Sequence, residues 1–145
     1  MRRGFWKDLL RGLENLNPVF SPECRSEYDE NLIFPTISRP EESNKLALVI
    51  EILTRIQSIF SVPEVPLDSR NLLMFLNKIS EILSHLQSCM NSPLDTHHHQ
   101  SAAREKFQKL KIFLRQKGNS GCAWEVVHAV IRTILQEAAI NHARK

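Results

Sequence analysis

Three cysteines, Cys24, Cys89 and Cys122, are the residues of this sequence with the most specific chemistry. An odd number allows one disulfide to close and leaves one thiol over, so three pairings are open from the count alone. The identity of the leftover thiol is therefore a question that the rest of the sequence must answer.

Three consecutive histidines, His97, His98 and His99, are the second group of potential metal ligands. Consecutive residues cannot all point to one side of a regular helix. No Cys or carboxylate cluster completes a tetrahedral set around them at a familiar spacing. We therefore expect no specific metal site at this tract.

Catalytic motifs are absent from the sequence. It has no phosphate-cradling glycine loop, no nucleophile elbow and no metalloprotease pair of histidines. Cys24 with a histidine could be drawn as a nucleophile pair, which a disulfide at Cys24 would exclude because a bridged cysteine has no thiolate to offer. We expect no enzyme and no cofactor.

Charge and hydropathy argue against two further classes of protein. The 19 Lys and Arg exceed the 16 Asp and Glu by only +3, a small excess for a phosphate-binding face. Five cations between 106 and 117 indicate a solvated cationic helix face, with acidic glycans or an acidic receptor patch as the functional alternative: Lys106, Lys109, Lys111, Arg115 and Lys117. We predict no nucleic-acid partner. Apolar runs such as Leu46 to Ile50 are no more than five residues long, far short of the roughly 18 to 20 residues that cross a bilayer. We therefore also predict no membrane insertion.

Apolar residues recur at helical spacing in five segments, and no segment shows the alternation typical of a β-hairpin. The first helix holds Phe5, Leu9, Leu13 and Leu16 and ends before Pro18; a loop of about 25 residues follows, from Asn17 to Glu42. The third predicted helix begins after a cap at Asp68 or Ser69 and carries its apolar stripe on Leu72, Leu76, Ile79, Leu83, Leu86 and Met90. The other predicted helices are Asn44–Ser61, Ser101–Lys117, which ends at a left-handed cap on Gly118, and one beyond Asn119–Gly121, with a polar link over Asn91–Gln100.

Loop lengths constrain how these helices connect. Short links join antiparallel neighbours, whereas the long first loop can run the length of a bundle. The sequence therefore predicts an all-α fold with one domain over residues 1–145. Its architecture is a five-helix up-up-down-down bundle of the cytokine type, with a long crossover between the first two helices.

The segment Cys122–Val127, Cys-Ala-Trp-Glu-Val-Val, resembles the start of the last helix in type I interferons. Upstream, Arg104 and the run from Phe107 to Leu114 keep the register of that family without a gap. Four further segments extend the resemblance over about residues 4–140: Ser21–Cys24, Phe34-Pro35, Gln57–Phe60 and Leu86–Cys89. We identify the chain as resembling a divergent or non-mammalian member of this family.

The resemblance implies a disulfide between Cys24 and Cys122. Most members also pair an N-terminal cysteine with one on the third helix, and that N-terminal cysteine is absent from this sequence. Cys89 is then a free thiol. Its partner was lost through a shortened N-terminus or in a lineage without this bridge.

The resemblance also implies surfaces for two receptor chains. The tighter chain would contact Arg25 and Tyr28 on the first loop and His128, Ala129, Arg132 and Thr133 on the last helix. His128 and Arg132 are four residues apart, so we expect both to project from one face. Tyr28 and Arg132 are the expected anchors; the alternative is a merely solvated helix face.

The second, weaker receptor chain would contact Phe60 and Arg104. For Phe60, its spacing from Ile56 favours core packing over exposure. The implied function is that of a secreted, monomeric antiviral cytokine that binds a two-chain class II cytokine receptor. The alternatives are an intracellular helical adaptor and a different class of helical cytokine.

Overall fold

The computed structural model describes residues 4–16, 24, 45–62, 65, 67–88 and 97–143. This part of the chain forms five α-helices and no strand: α1 Gly4–Leu16, α2 Lys45–Phe60, α3 Ser69–Ser88, α4 His97–Gln116 and α5 Gly121–Ala143. The predicted all-α class is confirmed. Apart from Cys24, the predicted long loop lies outside the described residues.

Helix α3 begins where the sequence offers a capping carboxylate. The Oδ1 atom of Asp68 accepts hydrogen bonds from the backbone N–H groups of Arg70 and Asn71, both at 3.0 Å. These are two of the amides that the first turn of a helix leaves without intrahelical partners. Of the two predicted caps, Asp68 is therefore the one in use.

The link between α4 and α5 is a short turn with a left-handed backbone. Gly118 has φ of 63° and Asn119 has φ of 56°. Gly118 N–H donates to the Arg115 carbonyl at 3.1 Å and Asn119 N–H to the Leu114 carbonyl at 2.8 Å, the pattern of a Schellman cap. The cap predicted at Gly118 is confirmed. Ser120 then caps α5, because its Oγ accepts the Ala123 N–H at 3.1 Å.

The core lies between helices that each bury one broad apolar face. Helix α1 packs against α3 and α5, while α2 packs against α3, α4 and α5. Three rings meet near the end of α2: the centroid of Phe60 lies 5.9 Å from that of Phe75 and 5.9 Å from that of Trp124. Twelve large side chains are almost completely buried: Trp124, Phe60, Phe75, Leu9, Leu13, Ile52, Leu53, Ile56, Ile59, Ile79, Leu86 and Leu110.

Two sequence expectations about the helices were wrong in detail. Helix α4 begins at His97, so the histidine tract belongs to its first turn and not to a polar link. On α3, Phe75 and Ile82 are buried whereas Leu72 and Leu76 are half-buried. The reason is that α3 packs against both α1 and α2. The buried face of α3 is therefore centred on the side that lies between those two helices. Met90 lies outside the described residues.

Close approach of α1 to α3 depends on one small residue. A Cβ atom added at Gly12 would lie 3.1 Å from Cδ1 of Phe75, a distance that requires the ring to move. The two helices are therefore packed directly at this crossing. Among the described residues, no helix is both long and apolar enough to cross a bilayer.

The Gly118 cap gives a prediction with a matched control. Replacing Gly118 by Ala forces a Cβ into the left-handed region, so the free energy of unfolding should fall by about 1 kcal/mol. Gly121→Ala is the control, because no atom lies within 4 Å of its added Cβ and its φ is not left-handed. Chemical denaturation of both variants measures the difference, and equal stabilities would contradict the assignment of the cap.

Candidate receptor-binding surface

A disulfide joins Cys24 to Cys122 in the first turn of α5, with their Cα atoms 5.0 Å apart. This is the pairing that the resemblance implied. The bond fixes a residue of the long first connection to the beginning of the last helix. Glu125, three residues further along α5, places its Oε2 2.8 Å from Cys24 Sγ, so a carboxylate lies directly beside the bridge.

His128 is buried, with 6% of its surface exposed, so the expectation that it projects outward with Arg132 was wrong. Its Nε2 lies 2.6 Å from the Leu13 carbonyl oxygen on α1, and a ring N–H must donate in that contact. Helical spacing places His128 at the edge of the exposed face of α5, and α1 covers that edge. His128 therefore ties α5 to α1.

Electrostatics favour the neutral form of this histidine. Burial lowers the pKa of His128 below its ordinary value, the hydrogen bond to Leu13 opposes that change, and the charge of Arg132 adds to it. A neutral imidazole with Nε2 protonated satisfies the Leu13 carbonyl. The structure thus holds His128 as a neutral donor within the α1–α5 contact.

The exposed side of α5 next to α1 carries a compact polar patch. Arg132 Nη2 lies 3.2 Å from Glu14 Oε1 on α1, and the two side chains are 48% and 49% exposed. Thr133 is exposed and its Oγ1 donates to the Ala129 carbonyl at 3.2 Å; Ala129 is half-buried. We name Glu14, Ala129, Arg132 and Thr133 the α1–α5 surface. It contains three of the six residues expected to meet the tighter receptor chain.

The two residues implied for the second, weaker receptor chain differ in their exposure to solvent. Phe60 is 1% exposed and packs between Phe75 and Trp124, so it forms part of the core, as its spacing from Ile56 favoured. Arg104 is exposed on α4. Of the two residues, only Arg104 is accessible to a partner.

Comparison with known proteins identifies the chain. A model of the interferon alpha/beta domain matches residues 3–140. The chain belongs to the interferon alpha/beta family. The match includes all of α1 to α4 and most of α5, so the family assignment applies to the entire described bundle.

Relatives of this interferon occur in mammals. Human interferon alpha-8 is 29% identical over 100 residues, which cover 63% of this chain and 53% of the human protein. Bovine interferon alpha-G is 26% identical over 136 residues, or 85% of this chain and 70% of the bovine protein. The matched region is thus only about half the length of the human relative.

Solved structures of fish interferons have the same fold. Zebrafish interferon 2 superimposes with a TM-score of 0.77 at 26% identity and covers 96% of this chain and 97% of its own. Zebrafish interferon 1 gives a TM-score of 0.78 at 20% identity, with coverage of 97% and 94%. The up-up-down-down cytokine architecture predicted from the sequence is confirmed.

Arg25, Tyr28 and Cys89 lie outside the described residues, as do the side chains of the histidine tract. Within the described residues, one group of potential metal ligands lies close together, Cys24, Cys122 and Glu125. Its two sulfur atoms are bonded to each other, so they offer no thiolates to a metal.

The buried His128 predicts a pH dependence of stability. Because its pKa in the folded protein is lowered, the unfolded chain binds the proton more readily below about pH 6.5. The stabilisation is complete above that pH and is lost as the pH falls toward the folded pKa. His128→Gln keeps an N–H donor without titrating, so its unfolding free energy should change less between pH 7 and pH 5.

Denaturation curves at both pH values measure this effect. The other five histidines are common to both proteins, so the difference isolates His128. His85→Gln, on the exposed side of α3, is the control and should keep the pH dependence of the parent chain. An identical pH dependence in all three proteins would contradict the neutral assignment.

Proposed function

We propose that this interferon is a secreted antiviral cytokine that acts as a monomer by joining the two chains of a class II cytokine receptor. The family match over residues 3–140 carries the proposal, because members of this family are secreted cytokines. The mechanism is binding: one surface engages the tighter chain, a second engages the weaker chain, and the paired receptor signals within the cell.

The α1–α5 surface supports the first contact. Arg132 is half-exposed and already oriented by Glu14, and arginine is a frequent energetic anchor in interfaces. The disulfide ties Cys24 to α5, and Arg25 and Tyr28 follow Cys24 closely in the sequence. We therefore keep Tyr28 and Arg132 as the proposed anchors, with Arg25, Ala129 and Thr133 around them.

His128 has a different role in this proposal. A side chain that is 6% exposed offers little area to a receptor. Its bond to the Leu13 carbonyl instead holds α1 beside α5, and Glu14 is the next residue of α1. We assign His128 as a positioning residue for the surface.

The second contact is assigned to Arg104 on α4. Phe60 contributes to that side of the molecule through packing alone, because it ends α2 and its ring lies in the core against Trp124. Truncating Phe60 would therefore damage the fold before it tested receptor binding. Arg104→Ala is the informative variant.

The proposal is tested by adding purified protein to vertebrate cells that carry an interferon-response reporter. The panel includes human and zebrafish cells, since relatives come from both organisms. We expect a response in at least one line. With receptor ectodomains from that species, Arg132→Ala and Tyr28→Ala should each weaken binding to the tighter chain about tenfold. Arg104→Ala should weaken binding to the other chain alone.

Each variant is thus the control for the other surface. Full affinity of both Arg132→Ala and Tyr28→Ala for the tighter chain would remove the α1–α5 surface from the proposal. A folded protein that activates no reporter line, and binds no receptor chain from the panel species, would contradict the function itself.

The second candidate function is an intracellular helical adaptor, which the odd cysteine count favours because cytosolic thiols stay reduced. Thiol titration of the denatured, unreduced protein separates the two. A bridge between Cys24 and Cys122 leaves one of the three cysteines to react. Reduction before denaturation should give three and is the control. Three reactive thiols without reductant in freshly purified secreted protein would favour the adaptor.

A further inference from the structure

Helix α4 and the residue after it concentrate the positive charge of the chain. Between positions 104 and 117 there are six Lys and Arg and a single acidic residue, Glu105, a net of +5. The whole chain has a net of +3, so the remaining residues together sum to −2. Helical spacing places Arg104, Lys111 and Arg115 on one side of α4, whereas Lys106 and Lys109 lie on the opposite side. We name Arg104, Lys111 and Arg115 the α4 cationic strip.

Most of this charge faces solvent without compensation. Arg104, Lys109, Arg115 and Lys117 are exposed, and no carboxylate of a described residue lies within ion-pair distance of any of them. Elsewhere in the described structure, cations do pair with carboxylates: Arg55 with Glu51, Lys78 with Asp8 and Glu81, and Arg132 with Glu14. Lys7, Arg11 and Arg70 are also exposed with no carboxylate of a described residue in range, so α4 differs from the rest of the surface in the number of cations that one helix carries.

The geometry of the strip is linear. Arg104, Lys111 and Arg115 are seven and four residues apart and so lie along one side of α4, over a length of about 16 Å. Lys111 Nζ donates to Ser58 Oγ on α2 at 3.2 Å. This side of α4 therefore lies beside the contact between α4 and α2. At its end, Lys111 and Arg115 line an open cavity of about 550 Å³.

The chemistry around the cations selects among possible polyanions. Single-stranded nucleic acid requires exposed aromatic rings for its bases to stack on. Every Phe and Trp of the described residues is buried: Phe5, Trp6, Phe60, Phe75, Phe107, Phe113 and Trp124. A protein partner would need an apolar centre, and Ile112, at 41% exposed, is the one exposed large apolar residue on α4. Among the described residues, the strip thus offers these two classes of partner charge alone.

We propose that the α4 cationic strip binds a sulfated glycosaminoglycan of the heparin type. Its sulfates repeat along an extended chain and match cations that repeat along one helix. Polar groups beside the strip, such as Gln108 and the Ser58 hydroxyl, suit sugar hydroxyls. This binding goes beyond receptor engagement: it would hold the secreted protein at cell surfaces and matrix, and would compete for Arg104 with the second receptor chain.

The test is binding of the full chain to immobilised heparin at 150 mM NaCl. The strip variant replaces Lys111 and Arg115 by Gln. Arg104 is left intact, so that a failure of this inference is distinguishable from a failure of the proposed receptor contact. We expect the strip variant to bind heparin at least about tenfold more weakly and with a shallower dependence on salt.

The control variant replaces Lys7 and Arg70, two exposed cations of α1 and α3, by Gln and so loses the same net charge. It should keep heparin affinity within about twofold. Circular dichroism verifies that each variant is folded, and Arg115→Gln alone replaces the strip variant if that one is not.

Three results would each overturn the inference. The first is no retention of the parent chain on heparin, and the second is an equal loss of affinity in the strip variant and the control variant. The third is equal affinity for single-stranded RNA or for hyaluronan, which has carboxylates but no sulfates.

Discussion

Burial of helix α5 is the constraint on which the rest of the bundle depends, because α5 packs against α1, α2 and α4. Nine of its residues are buried: Ala123, Trp124, Val126, Val127, His128, Val130, Ile131, Ile134 and Leu135. They occupy more than half of its circumference, so the accessible side of α5 is limited to the remainder, which includes Ala129, Arg132, Thr133 and Gln136. Burial of α5 thus decides both the shape of the core and which of its residues a partner can contact.

One covalent bond and two polar contacts hold α5 in this position along its length. The disulfide secures its first turn, the His128 ring holds α1 at its middle, and Arg132 pairs with Glu14 one turn later. They differ in strength. In the chain-entropy model a disulfide that closes a loop of this length contributes about 4 to 5 kcal/mol, a large share of the roughly 5 to 15 kcal/mol that stabilises a domain. A half-exposed ion pair contributes about 1 kcal/mol or less.

The sequence was sufficient where local chemistry decides the outcome. Asp68 and Gly118 mark helix ends through their own side chain or backbone, and both predictions were confirmed. Periodicity also found the buried faces of α1 and α2. It did not find the width of a buried face, because that depends on how many helices pack against it. His128 and Phe75 were misjudged for this reason: one is covered by α1, and the other lies between α1 and α2.

The two proposed binding surfaces place different demands on a partner. On the α1–α5 surface, Arg132 already has a carboxylate neighbour at 3.2 Å, which restricts its rotamers before any partner arrives. Because that pair is weak in water, a receptor carboxylate can share or replace Glu14 at little cost, and less side-chain entropy remains to be lost. On α4 the exposed cations have no such neighbour among the described residues. Their attraction for an anion acts over about a Debye length and falls as salt rises. Short-range specificity therefore belongs to the proposed receptor face, and long-range, salt-sensitive capture belongs to the cationic helix.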